Sequence, residues 1–167
     1  MISPKIKKHF SILVTRILQS RTLEEMRLEK DKTLTLLIDV FLQLSSNKIN
    51  NEDHIIFNRC EDYRLSLLKN NSTVSYDVFG INQKKTIKEI CEKATSKPIW
   101  AKFLFLITKK IEDPYFLEIG TNLGVSGTYI LEALHNKSNS KFVTMEGLPK
   151  LCDIAYNQFR KITNEKK

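Results

Sequence analysis

From Ile6 to Leu67 apolar residues recur at every third or fourth position, the spacing of helices with one buried face. Ile6, Phe10, Leu13, Val14, Ile17 and Leu18, with lysines opposite, predict an amphipathic N-terminal helix whose apolar stripe packs onto the domain or a partner chain rather than a membrane surface. Leu34, Leu37, Ile38, Phe41 and Leu44 predict a second helix, and Ile56, Cys60, Tyr63 and Leu67 a third, separated by the polar stretch Ser45 to Asp53. Ser72 to Phe79 is rich in β-branched and aromatic residues and ends at Gly80, which predicts a short strand or extended connection. Ile87, Ile90, Cys91 and Ala94 mark a helix that stops before Pro98, since a proline disfavours helical geometry in the residue preceding it. Pro98 suits the first position of the next helix. That helix is expected to lay Trp100, Phe103, Leu104, Ile107 and Ile111 against a sheet, with Trp100 in the core.

The period then changes. After Asp113-Pro114, the run Tyr115-Phe116-Leu117-Glu118-Ile119 is apolar on both faces, as in a strand of a covered parallel sheet, and leads into Gly120-Thr121-Asn122-Leu123-Gly124-Val125-Ser126-Gly127 and a helix. A second strand, Lys141-Phe142-Val143-Thr144-Met145-Glu146, follows one helix later. Pro149 opens the last helix, with Leu151, Ile154, Ala155, Phe159 and Ile162 facing inward. The chain therefore reads as a helical extension, residues 1–70, followed by an α/β portion, residues 71–167.

A strand, a glycine-rich turn and a helix in succession form a nucleotide site: glycines let the backbone approach a ligand, and the helix start offers unpaired N–H groups. An acid closing the next strand, here Glu146, is placed to accept both hydroxyls of a ribose. The glycine order Gly120-x-x-x-Gly124-x-x-Gly127 lacks the pyrophosphate turn of a dinucleotide fingerprint. Glu118, just before the first glycine, would repel a diphosphate but suit a cationic amino group.

At these residues the chain resembles the class I S-adenosylmethionine-dependent methyltransferases. Their first motif, acid-x-Gly-x-x-x-Gly-x-Ser, is matched by Glu118, Gly120, Gly124 and Ser126, and their second by Glu146. Residues 85–105 also look like the helical lead-in of a bacterial group of such proteins, and the resemblance runs from about Glu61 to Ile162. It implies a Rossmann-like α/β fold binding S-adenosyl-L-methionine, with Glu118 near the methionine amino group and Gly120 to Gly124 around the methionine part. Glu146 would hold the ribose, and Thr121, Ser126 and Gly147 complete the implied cofactor set. In relatives the segment at Tyr76 to Gly80, an aspartate followed by small residues, sits near the cofactor entrance; here Asp77 stands but most of the small residues do not. The later strands of that fold, which carry the acceptor pocket and catalytic groups, are absent from these 167 residues. The fold is thus expected to be incomplete, no catalytic residue is assignable, and the strand at Tyr115 keeps an open edge suited to self-association. The expected function is methyl transfer, to a small molecule rather than nucleic acid or protein, by a longer form. The alternatives are a noncatalytic remnant or interaction module and a dinucleotide-dependent oxidoreductase fragment.

Composition adds little. Hydrophobic residues make up 41% and charged residues 28%, ordinary for a domain with a core. The net charge of +8 is spread along the chain, densest at Lys5, Lys7, Lys8, Lys166 and Lys167, which describes a solvated basic surface rather than a specific nucleic-acid site. Cys60, Cys91 and Cys152 form neither a C-x-x-C pair nor a disulfide framework, so a reducing cytoplasm and no metal are expected, with each thiol buried on a helix. His9, His54 and His135 are isolated, and the residue pattern leads one to expect neither a targeting signal in the apolar stretch Phe10 to Leu18 nor a membrane-spanning run.

Overall fold

The computed structural model describes residues 4–164; Lys166 and Lys167, and the side chains of Ile6, Leu13 and Ile17, lie outside the described residues. The chain divides into two compact units, Met1–Leu42 and Gln43–Lys167. The first contains α1 (Pro4–Leu28) and most of α2 (Lys32–Ser45), tied by an Arg27–Asp39 ion pair of 3.0 Å. Phe10, Val14 and Leu18 of the α1 stripe are exposed. No helix among the described residues is long and apolar enough to cross a membrane.

The second unit is mixed α/β. It runs α3 (Asn51–Leu68), β1 (Thr73–Ser75), a 3-10 turn (Asp77–Phe79), β2 (Lys84–Thr86), α4 (Ile87–Ala94), α5 (Pro98–Lys110), β3 (Tyr115–Ile119), α6 (Val125–Leu134), β4 (Lys141–Met145) and α7 (Pro149–Asn164). Local chemistry sets the boundaries. Asn50 caps α3 by accepting the Asp53 N–H at 2.7 Å, and Thr86 with Glu89 closes a reciprocal box on α4. Those hydrogen bonds from Thr86 hold the Glu89 carboxyl below its ordinary pKa. β1 and β2 form an antiparallel ribbon, while β3 and β4 pair in parallel, Tyr115 opposite Lys141 through Ile119 opposite Met145.

Two packed regions hold these elements. Leu67, Val74, Ile87, Ile90, Leu123, Val125, Leu148 and Leu151 form one core. In another, Phe57 meets the edge of Phe105 at 5.1 Å and the Tyr129 ring at 5.9 Å, joining α3, α5 and α6. The parallel pair is covered on one face only, where Phe142 packs edge-on against Phe159. Tyr115, Leu117, Ile119, Val143 and Met145 face outward and are 42% to 79% exposed. Among the described residues β3 bonds to β4 alone.

Two expectations fail. Trp100 is 57% exposed, stacked edge-on against Phe103 rather than buried, because α5 turns Ala101, Phe105, Leu106, Ile107 and Thr108 inward, chiefly against α6. Cys152 is exposed on α7, whereas Cys60 and Cys91 are buried. Burial raises the pKa of both buried thiols, and the Glu132 carboxylate pushes Cys60 up further. A maleimide reagent is therefore expected to modify Cys152 alone in the native protein and all of the thiols after unfolding, as read by intact mass. Native modification of Cys60 would contradict the packing of α3 on α6.

Candidate functional site

The site lies where β3 and β4 end, and parallel, in-register pairing brings the two following turns together. After β3 the backbone enters the left-handed region at Gly120 (φ 91°), Asn122 (φ 53°) and Gly124 (φ 71°). This curl is anchored from below. The Leu123 side chain is fully buried in the core, and its carbonyl accepts the Tyr63 hydroxyl at 2.6 Å from α3. Burial, chiefly, raises the Tyr63 pKa, so the phenol stays protonated and donates throughout the neutral range.

The glycines serve different ends. A Cβ at Gly120 would meet nothing within 4 Å, so this position faces open space. A Cβ at Gly124 would come within 2.9 Å of the Ala155 Cβ and the Phe159 ring, and one at Gly127 within 2.5 Å of that ring. Gly124 and Gly127 thus let α7 approach α6, and Gly120 keeps the cleft clear.

Glu146 fastens the two turns. Its carboxylate accepts the Asn122 N–H at 2.7 Å and the Leu148 N–H at 3.0 Å, while the Met145 carbonyl accepts the N–H groups of Gly120 and Thr121, each at 2.9 Å. Two N–H bonds still leave the carboxylate acceptor capacity for a ligand. Glu118 accepts hydroxyl hydrogen bonds from Ser126 at 2.5 Å and Thr144 at 2.8 Å, and the Thr144 hydroxyl also meets that of Thr121 at 2.5 Å. Glu118 therefore presents its charge to the first turn of α6, where no side chain caps the helix and the dipole favours an anion.

Glu118, Gly120, Thr121, Gly124, Ser126 and Glu146 thus surround one pair of turns. Gly147 follows Glu146, and a Cβ there would come within 2.9 Å of the Phe79 ring, so the 3-10 turn reaches the same place. Tyr76, next to that turn, has its pKa raised by burial and by the Glu146 charge. Asp77 accepts the Ser75 hydroxyl, a local bond that stabilises the turn.

Of these residues Gly120, Thr121 and Ser126 line a small cleft of about 90 Å³, together with Thr95, Ser96, Asn122 and Val125, whereas Glu118, Gly124 and Glu146 lie outside its lining. Sequence reasoning missed Asn122. Its amide donates to the Ala94 carbonyl at 3.1 Å, and its Oδ1 is buried with no hydrogen-bond partner. A buried acceptor left without a donor is unfavourable, and a ligand amino group or hydroxyl would supply one. The signal for it was present in the sequence, since asparagine tolerates the left-handed conformation that a tight turn between two glycines requires. The cleft is well below the several hundred Å³ of a typical small-molecule pocket. No protein-family model, no curated protein and no solved structure matches this chain.

Proposed function

We propose that the second unit carries the cofactor wall of a class I S-adenosylmethionine-dependent methyltransferase of Rossmann-like fold, and that its complete form methylates a small-molecule acceptor. The observation that carries this reading is the meeting of the left-handed Gly120–Gly124 curl with the Glu146 carboxylate across one parallel strand pair. The donor set suits an amino-acid nucleoside. The Asn122 Oδ1 lacks a donor, Gly120 opens onto the cleft, and Glu146 retains lone pairs for ribose hydroxyls. Glu118 supplies a second negative charge nearby, favourable for an ammonium and unfavourable for a diphosphate.

S-adenosyl-L-methionine would supply an activated methyl group on its sulfonium. This chain's residues bind and orient: the buried Leu123 and the Tyr63 hydroxyl hold the curl, and Glu146 sets its distance from β4. A wall that is held in place before binding adds to catalysis by positioning rather than by proton transfer.

Calorimetric titration with S-adenosylhomocysteine, with NAD as the control, tests the reading. The expected result is a dissociation constant in the micromolar range, about −8 kcal/mol, for S-adenosylhomocysteine and none measurable for NAD. Binding of NAD alone would establish the oxidoreductase alternative. A folded, monodisperse protein that bound neither would be a noncatalytic remnant.

A further inference from the structure

The apolar stripe that the residue pattern assigns to protein packing is open on α1. Phe10, Val14 and Leu18 recur four residues apart, which stacks them along one side of the helix, and they are 68%, 36% and 49% exposed. α2, most of which belongs to the same unit, leaves them uncovered.

The charge of this segment is one-sided. Residues 1–23 carry five Lys and Arg, namely Lys5, Lys7, Lys8, Arg16 and Arg21, and no Asp or Glu, so more than half of the net charge of +8 is concentrated there. The first acids are Glu24 and Glu25, and Glu25 pairs with Arg21 at 2.9 Å. Lys5, Lys7, Lys8 and Arg16 therefore have no acid within one turn of them along the helix, whereas an ordinary solvated helix intersperses both signs. Helical spacing puts Lys5, Lys8 and Arg16 across the helix from the apolar row, and Lys8 is exposed. Basic and apolar sides thus coincide on one stretch of α1, and both end where Glu24 and Glu25 begin.

We propose that the N-terminal half of α1 docks on the surface of a bilayer containing anionic phospholipids, lying in its plane. An apolar row alone would suit many partners, and a basic segment alone any polyanion. A bilayer surface takes both: acyl chains receive Phe10, Val14 and Leu18, while headgroup phosphates meet cations whose long side chains reach the headgroup level. A nucleic acid would leave the apolar row in water. The helix lies along the surface, since no helix among the described residues is long and apolar enough to cross a membrane. Docking through so short a row is reversible and weakens as salt screens the charges. It does not depend on the nucleotide reading.

Cosedimentation of the whole chain with vesicles of phosphatidylcholine, with and without one-third phosphatidylglycerol, tests the proposal. Binding is expected to the mixed vesicles, much less to phosphatidylcholine alone, and to fall as sodium chloride is raised. Phe10→Ser should weaken binding to the mixed vesicles by about ten-fold, the loss of one buried aromatic anchor. Lys8→Glu, which changes the charge by two, should weaken it by about ten-fold or more. Both side chains are exposed, so the Tm of each variant should match that of wild type, which separates lost docking from lost folding. Equal sedimentation with and without the anionic lipid would overturn the proposal. So would binding unaltered in both variants, which would assign it to the bare face of β3 and β4. Loss in Lys8→Glu but not in Phe10→Ser, with equal affinity for heparin, would mean a polyanion surface and no bilayer site. A lipid-free dimer that Phe10→Ser converts to monomer, as read by analytical ultracentrifugation, would give the row to a second copy of the chain and overturn it as well.

Discussion

Replacing Glu146 with alanine is expected to lower the stability of the second unit by about 3 kcal/mol or more. The carboxylate accepts N–H groups from both turns, Asn122 at 2.7 Å and Leu148 at 3.0 Å. Each hydrogen bond to a charged acceptor contributes roughly 1.5–3 kcal/mol, and alanine leaves both donors without a partner. For a chain of this length a loss of 3 kcal/mol corresponds to a fall in Tm of about 6–12 °C. Glu146→Gln keeps the size and one carbonyl oxygen but turns an amide NH2 toward a donor, so it should fall between wild type and alanine. Thermal denaturation of the three proteins checks the order. A Tm for the alanine variant within about a degree of wild type would mean that the carboxylate does not hold the turns. Affinity for S-adenosylhomocysteine, measured where each variant is fully folded, then separates ribose binding from support of the turns.

Gly124→Ala should be about as damaging, and Gly120→Ala clearly less so. Both glycines have left-handed backbones, at φ 71° and 91°, and share a conformational term of about 1–2 kcal/mol. Only Gly124 adds a packing term, since the new methyl would stand 2.9 Å from the Ala155 Cβ, on a helix that cannot yield by a rotamer change. Overpacking of this kind costs about 1–3 kcal/mol, which brings Gly124→Ala to about 2–5 kcal/mol. Urea denaturation of both variants measures the difference directly. Equal losses would show that α7 does not press on the start of α6. Gly120→Ala, being the milder, also probes the cleft, because its methyl projects into the open space that a ligand would use.

The strands, the glycine turn and the acid after β4 were legible because each depends on local pattern. A run apolar on both faces, a glycine-punctuated turn and a proline at a helix start mean much the same in any context. The phase of α5 was not legible. Ile99, Trp100, Phe103, Leu104, Phe105, Leu106 and Ile107 leave scarcely a polar side from which to choose, so periodicity could not say which side faces α6. What settles it is Phe105 meeting Phe57 across 5.1 Å, a contact between residues far apart in the chain. The Arg59–Glu132 pair was hidden for the same reason, its partners being 73 residues apart. Glu146 was legible as a candidate ligand but not as the clasp between two turns, since its bonds go to backbone groups whose positions only the folded loops define.

The bare face of β3 and β4 bears on how the strands find their alignment. Leu117, Ile119, Val143 and Met145 look outward while Phe116 and Phe142 look in, so a shift of one residue would exchange one apolar set for another with little change in burial. Hydrophobicity alone leaves this pair nearly blind to slippage. The Glu118–Thr144 pairing breaks the degeneracy, because a slip would turn Glu118 away from both Ser126 and Thr144. That polar contact acts as a keyway: only one setting of the two strands lets the hydroxyls reach the carboxylate, and in that setting alone the two turns come level.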